Sequence, residues 1–120
     1  MRILLLDPDK EFINQLINEI DPHYHQVRTA TTLAAAKEVL LNNQINIVVM
    51  ASGAADMQDK NFIDILKHRN ANAIIYSQLY NKEEKMRYMS LGAIGYCSKD
   101  PLYILGELVT YKNNLSSIQE

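Results

Sequence analysis

Apolar positions along the chain follow two alternating rhythms. Short continuous runs rich in Ile, Leu and Val occupy 3–6, 45–50 and 73–76, with weaker versions at 26–30 and 93–97. Unbroken apolarity is what strands buried on both faces show, because a half-solvated strand would alternate. Between these runs the spacing becomes helical. Phe12, Ile13, Leu16, Ile17 and Ile20 predict one amphipathic face. Leu33, Ala36, Val39 and Leu40 predict a second helix, capped by Thr31 or Thr32. Phe62, Ile63 and Leu66, joined by Ile65, predict a third. Met86, Met89 and Leu91 mark a fourth, stopped by Gly92. Asp100-Pro101, an N-cap followed by proline at the first helical position, opens a fifth that carries Ile104, Leu105, Leu108 and Val109.

That order is a strand and a helix repeated five times. Parallel strands joined by helices need right-handed crossovers, so the expected product is a three-layer α/β/α domain around a five-stranded parallel sheet. The pattern holds over residues 1–112 and is lost in the polar stretch 113–120, which reads as a frayed tail or the start of a linker.

Composition narrows the function classes. At 120 residues, with 48% hydrophobic and 22% charged, the chain suits one soluble domain with a real core. No apolar stretch approaches the roughly 20 residues needed to span a bilayer, and the N-terminus reads as a strand rather than a signal peptide. A lone cysteine, Cys97, fits a reducing, cytoplasmic setting and reads as a small apolar strand residue. The net charge of −2 gives no basic footprint, so direct nucleic-acid binding is not expected.

Chemistry should gather at the carboxyl ends of the strands, where open α/β sheets place their ligands. Three runs end there in polar residues: Leu4-Leu5-Leu6 at Asp7, Ile74-Ile75-Tyr76 at Ser77, and Gly95-Tyr96-Cys97-Ser98 at Lys99. The central run, Ile45 to Met50, ends instead at Ala51, a methyl group where the pattern asks for an acid.

These residues carry a resemblance. The stretch Leu91-Gly92-Ala93-Ile94-Gly95-Tyr96-Cys97-Ser98-Lys99-Asp100-Pro101, with the opening Met1-Arg2-Ile3-Leu4-Leu5-Leu6-Asp7, resembles the receiver domain of bacterial response regulators. The likeness runs from about residue 2 to 112. It implies a flavodoxin-like, CheY-like (βα)5 fold with sheet order 2-1-3-4-5. In that family an aspartate after strand three takes a phosphoryl group, and two acids after strand one hold Mg²⁺. A lysine after strand five pairs with the phosphate. A hydroxyl after strand four hydrogen-bonds it, and an aromatic of strand five follows that motion. Here Asp7 matches the first acid, Ser77 the hydroxyl, Lys99 the lysine and Tyr96 the switch aromatic. Pro8 replaces the second acid, with Asp9 beside it, and Ala51 replaces the nucleophile. A methyl group neither attacks phosphorus nor ligates a metal.

The resemblance therefore implies an atypical pseudo-receiver: not an enzyme, not phosphorylated at the usual site, and with Mg²⁺ not expected as a cofactor. Asp7 and Asp9 are the residues that could hold the metal weakly; equally, they could cap the first helix. Lys99 is expected to pair with Asp7, and Ser77 could simply satisfy a backbone group. Six of the seven tyrosines (Tyr76, Tyr80, Tyr88, Tyr96, Tyr103 and Tyr111) follow residue 75. Tyrosine favours interfaces, so Tyr88, Tyr103 and Tyr111 are assigned to an interaction face made by the fourth helix, fifth strand and fifth helix. The expected partner is another protein or a second copy of the chain. A DNA-binding output domain, serving transcription regulation, would lie outside this chain.

Two alternatives remain open. The vacated pocket could sense a small anion or metabolite through Lys99 and Ser77. Another acid, Asp56 or Asp59, could accept phosphate, whereas Ser52 should point away if the strand continues through it. The segment His23-Tyr24-His25 lacks a third ligand and reads as a surface loop.

Overall fold

The structure is a computed structural model and describes residues 1–23, 25–56 and 62–119. Five strands form a parallel sheet: β1 (Arg2–Leu6), β2 (Gln26–Ala30), β3 (Ile47–Ala51), β4 (Asn72–Ser77) and β5 (Gly95–Ser98). Their order is β2-β1-β3-β4-β5, the flavodoxin-like arrangement that the resemblance implies. The helices are α1 (Lys10–Glu19), α2 (Leu33–Asn42), α3 (Ser52–Asp56), α4 (Phe62–His68), α5 (Lys82–Leu91) and α6 (Pro101–Gln119). The expected fourth and fifth helices are thus α5 and α6. No helix among the described residues is long and apolar enough to cross a membrane.

Strands β1, β3, β4 and β5 face two cores, which is why their apolar runs are unbroken, whereas the edge strand β2 is largely exposed. Ile3, Leu5, Ile47, Val49, Ile74, Tyr76 and Cys97 point to the side covered by α1 and α6, with Phe12, Ile13, Leu16, Ile104 and Leu108. Leu4, Leu6, Val48, Met50, Ala73, Ile75 and Tyr96 point to the other side. There they meet Ala36 and Leu40 of α2, Phe62, Ile63 and Leu66 of α4, and Tyr88 of α5. Local signals set the helix ends. Thr32 caps α2 by accepting from the Ala35 amide at 3.1 Å, and Asn81 caps α5 through the amides of Glu83 and Glu84. Gly92 ends α5 at φ 111°, the left-handed turn glycine adopts without a Cβ clash. The Asp100 carbonyl accepts from Ile104 and its carboxylate from Leu102, starting α6.

The structure departs from the expectations in four places. A helical turn begins at Ser52, directly after β3, so the strand does not continue through it. Helix α5 is turned over: Met86, Met89 and Leu91 are exposed, and Tyr88 is its buried residue. Two positions along a helix are about 200° apart, so burying the large Tyr88 ring forces Met86 outward. Ile17 and Val109 likewise lie at the margins of their stripes and are exposed. Finally, α6 continues through 113–119 as helix rather than tail, and Tyr111 and Leu115 prolong the line begun by Ile104 and Leu108.

Candidate functional site

The carboxyl ends of β1, β3, β4 and β5 converge on a cavity of about 610 Å³. Alternation along the strands decides which residues share its floor. Asp7, Ala51, Tyr76 and Lys99 follow the side-chain direction of Leu5, Val49, Ile74 and Cys97, while Ser77 follows Ile75 to the opposite face. Ala51 and Tyr76 are register partners across β3 and β4.

Asp7 is 3% exposed and fully engaged. Its Oδ1 accepts from the Asp9 amide at 2.8 Å. Its Oδ2 accepts from the Tyr76 hydroxyl at 2.6 Å and lies 3.5 Å from Lys99 Nζ. Lys99 also donates to Asp9 Oδ2 at 3.1 Å and stands 4.7 Å above the centroid of the Phe12 ring. Asp9 is the N-cap of α1, its Oδ1 accepting from the Phe12 amide at 3.1 Å. That bond and then Lys99 hold the Asp9 carboxyl below its usual range, against a smaller opposing effect of burial. Burial, reinforced by Asp7, pushes the Tyr76 phenol far above its ordinary value, so it stays protonated and donates. Asp9 therefore caps α1, and Asp7 does not.

On the opposite face, Ser77 Oγ donates to the Leu79 carbonyl at 3.0 Å. Tyr96 is buried; its hydroxyl donates to Glu84 at 2.8 Å and accepts from the Asn81 amide at 3.3 Å. Burial, then Glu84, raises its pKa. Tyr88 stacks on Tyr96 at 6.3 Å and donates to the Ser52 carbonyl at 3.0 Å. Burial pushes the Cys97 thiol up to about 12, leaving it protonated and unreactive.

Mg²⁺ asks for several oxygen donors in near-octahedral geometry. Here both Asp7 oxygens and both Asp9 oxygens already accept hydrogen bonds, and Ala51 adds none. Among the described residues no three His, Cys, Asp or Glu groups come together. The donor set does not fit the metal.

Several residue assignments change. Tyr88, placed on the interaction face, is buried because its ring fills the seam between α5 and the sheet. Tyr103 is 62% exposed, whereas Tyr111 is half-buried and accepts a hydrogen bond from Asn72. Ser52, expected to point away, lines the cavity because the backbone has already turned helical. Pro8 lies at the exposed rim. Asp59 and Tyr24 fall outside the described residues. The residue overlooked by reasoning from sequence is Tyr76, which an apolar run disguises as core. Its signal was positional: one residue before Ser77, it must face the side Ser77 does not.

No protein-family model and no curated protein matches the chain by sequence. Solved structures do match by shape. The signal receiver domain of a putative LuxO repressor protein from Vibrio parahaemolyticus superposes with TM-score 0.81 at 12% identity, over 99% of this chain and 96% of that one. A CheY-like response regulator receiver domain protein from Methanospirillum hungatei gives 0.79 at 20% identity, over 99% and 98%. A response regulator from Burkholderia pseudomallei, solved with a phosphorylated aspartic acid and a calcium ion, gives 0.77 at 16% identity, over 98% and 72%. At these identities the likeness concerns the fold, and by fold this chain is built as the receiver domains of response regulators are.

Proposed function

We propose that this chain is an atypical receiver domain of bacterial signal transduction that has left phosphotransfer behind and acts through protein contact. One observation carries the reading. Where receivers keep their phosphoacceptor, this chain has the Ala51 methyl, and beside it Tyr76, Asp7, Lys99 and Asp9 are bonded to one another. The groups that would meet a phosphoryl group and its metal are occupied by each other. Incubation with acetyl phosphate and Mg²⁺, followed by intact mass measurement, should show no added phosphoryl group. The thermal midpoint should not rise with millimolar Mg²⁺, since a ligand stabilises only the state it binds. A stable phosphorylated species, or a strong rise with Mg²⁺, would overturn the reading.

The contact surface we assign is α5, β5 and α6, meeting a second copy of the chain. Met86, Met89, Leu102, Tyr103 and Val109 are large apolar side chains exposed there, the kind of surface that marks an interaction site. Sedimentation across a concentration series should reveal a dimer that Tyr103→Glu weakens; a strict monomer at high concentration would sink the assignment. Any DNA-directed output would belong to another domain or chain. An anion sensor is less well supported. An anion entering the cavity must draw Lys99 away from Asp7 and Asp9 and meet Glu84 on the wall.

A further inference from the structure

A second cavity lies at the opposite, amino-terminal end of the sheet, between α6 and the starts of β4 and β5. It measures about 240 Å³, which is small for a whole metabolite but suited to a side-chain-sized group. Its acid is Glu107. This side chain is half-buried on α6 and lies across Gly95, where a Cβ would come within 2.7 Å of Oε2. A side chain at residue 95 would have to displace the carboxyl from this position. Burial raises its pKa, and Lys85 of α5 pulls the other way.

The surroundings are rich in acceptors and supply a greasy wall. Asn72 Nδ2 donates to the Tyr111 hydroxyl at 3.1 Å, which leaves the Asn72 amide oxygen uncommitted. Ile74 and Ile94 line the groove beside these polar groups. A half-buried carboxylate beside an apolar wall and further acceptors is matched by a donor-rich cation whose stem can lie on apolar surface.

We propose that this groove binds an alkyl ammonium or guanidinium group, with Glu107 as its counter-ion. The site is separate from the strand-end network and does not rest on the receiver reading. Such a group could belong to a free amine or to a lysine or arginine side chain of another protein.

The test is an NMR titration of the whole chain with agmatine, with butyrate as the charge-reversed control. Agmatine should shift the amides of residues 72–74, 94–95 and 107–115 saturably, with a dissociation constant in the millimolar range, roughly. Glu107→Gln should weaken binding about tenfold, the effect of losing one charge-assisted pair, and Tyr111→Phe should weaken it less. Should Glu107→Gln fold poorly, wild-type binding must still weaken as NaCl rises, because the pair is electrostatic. Comparison with N-acetyl-arginine amide separates the sources. Tighter binding of that probe indicates a protein side chain, and tighter binding of agmatine a free amine. No saturation, equal shifts with butyrate, unchanged affinity in Glu107→Gln, or salt-independent binding would each overturn the proposal.

Discussion

Two tyrosines on neighbouring strands make the same bond on opposite faces of the sheet, with different consequences. Tyr76 of β4 donates to Asp7 at 2.6 Å, and Tyr96 of β5 donates to Glu84 at 2.8 Å. Asp7 is buried at the end of a central strand and is shared with Lys99 and the Asp9 amide, so its network ties β1, β4, β5 and the start of α1 together. Glu84 is half-buried in the first turn of α5, so its bond fastens one helix to an edge strand. The buried Asp7 and Tyr76 have less solvent at hand to replace a lost partner than the peripheral bond does. The first therefore serves as a structural staple, and the second as a latch for a single helix.

The contrast can be broken by removing one partner at a time. Lys99→Met should have the largest effect, about 2–4 kcal/mol of lost stability in urea unfolding, because it strands the buried Asp7 charge. A loss near that of a surface lysine would show that Asp7 does not depend on the ion pair. Tyr76→Phe keeps the ring packing against Phe12 at 5.3 Å but removes the donor, and should cost about 1–3 kcal/mol. Tyr96→Phe should cost about 1 kcal/mol or less, because water can reach Glu84. If Tyr96→Phe proved the costlier of the two, the assignment of staple and latch would be reversed.

The smallest effect concerns pH. The Asp9 carboxyl is held below its ordinary value of 3.8 in the folded chain. Its ionised form therefore stabilises the fold above pH 3.8, and that contribution is lost as pH falls through the lower folded value. Asp9→Asn keeps a side-chain oxygen for the Phe12 amide but cannot titrate. It should flatten the acid limb of the stability curve below about pH 4, read from chemical denaturation at successive pH values. An acid limb as steep as wild type would remove Asp9 from the network's electrostatics.

Strands β1, β3, β4 and β5 were legible in the chain because double burial demands an unbroken apolar run, and helix ends were legible where Thr32, Gly92 and Asp100 have only a few roles open to them. Helix α5 was not legible. Its methionines look apolar in any listing, yet the choice between Tyr88 and Met86 depends on what the sheet offers opposite, here the Tyr96 ring and the Ser52 carbonyl. Of the tyrosines assigned to the interaction face, Tyr88 is interior and Tyr111 half-buried for the same reason, while Tyr103 is exposed. The Glu107 groove left no trace at all, because Gly95 and Glu107 are twelve positions apart and meet only when α6 lies across β5.

By itself the sequence determined the five βα units, the polar residues at three strand ends, and the methyl group of Ala51 at a fourth. These follow from periodicity, which states the side of an element on which a residue stands. Tertiary structure alone decided that Tyr76 would close over Asp7, that Lys99 would be shared between Asp7 and Asp9, and that Glu107 would lie across Gly95 at the rim of a groove. Periodicity cannot name the group across the gap. Strand register and helix packing set that partner, and the partner decides whether a carboxylate is a ligand, a cap or a staple.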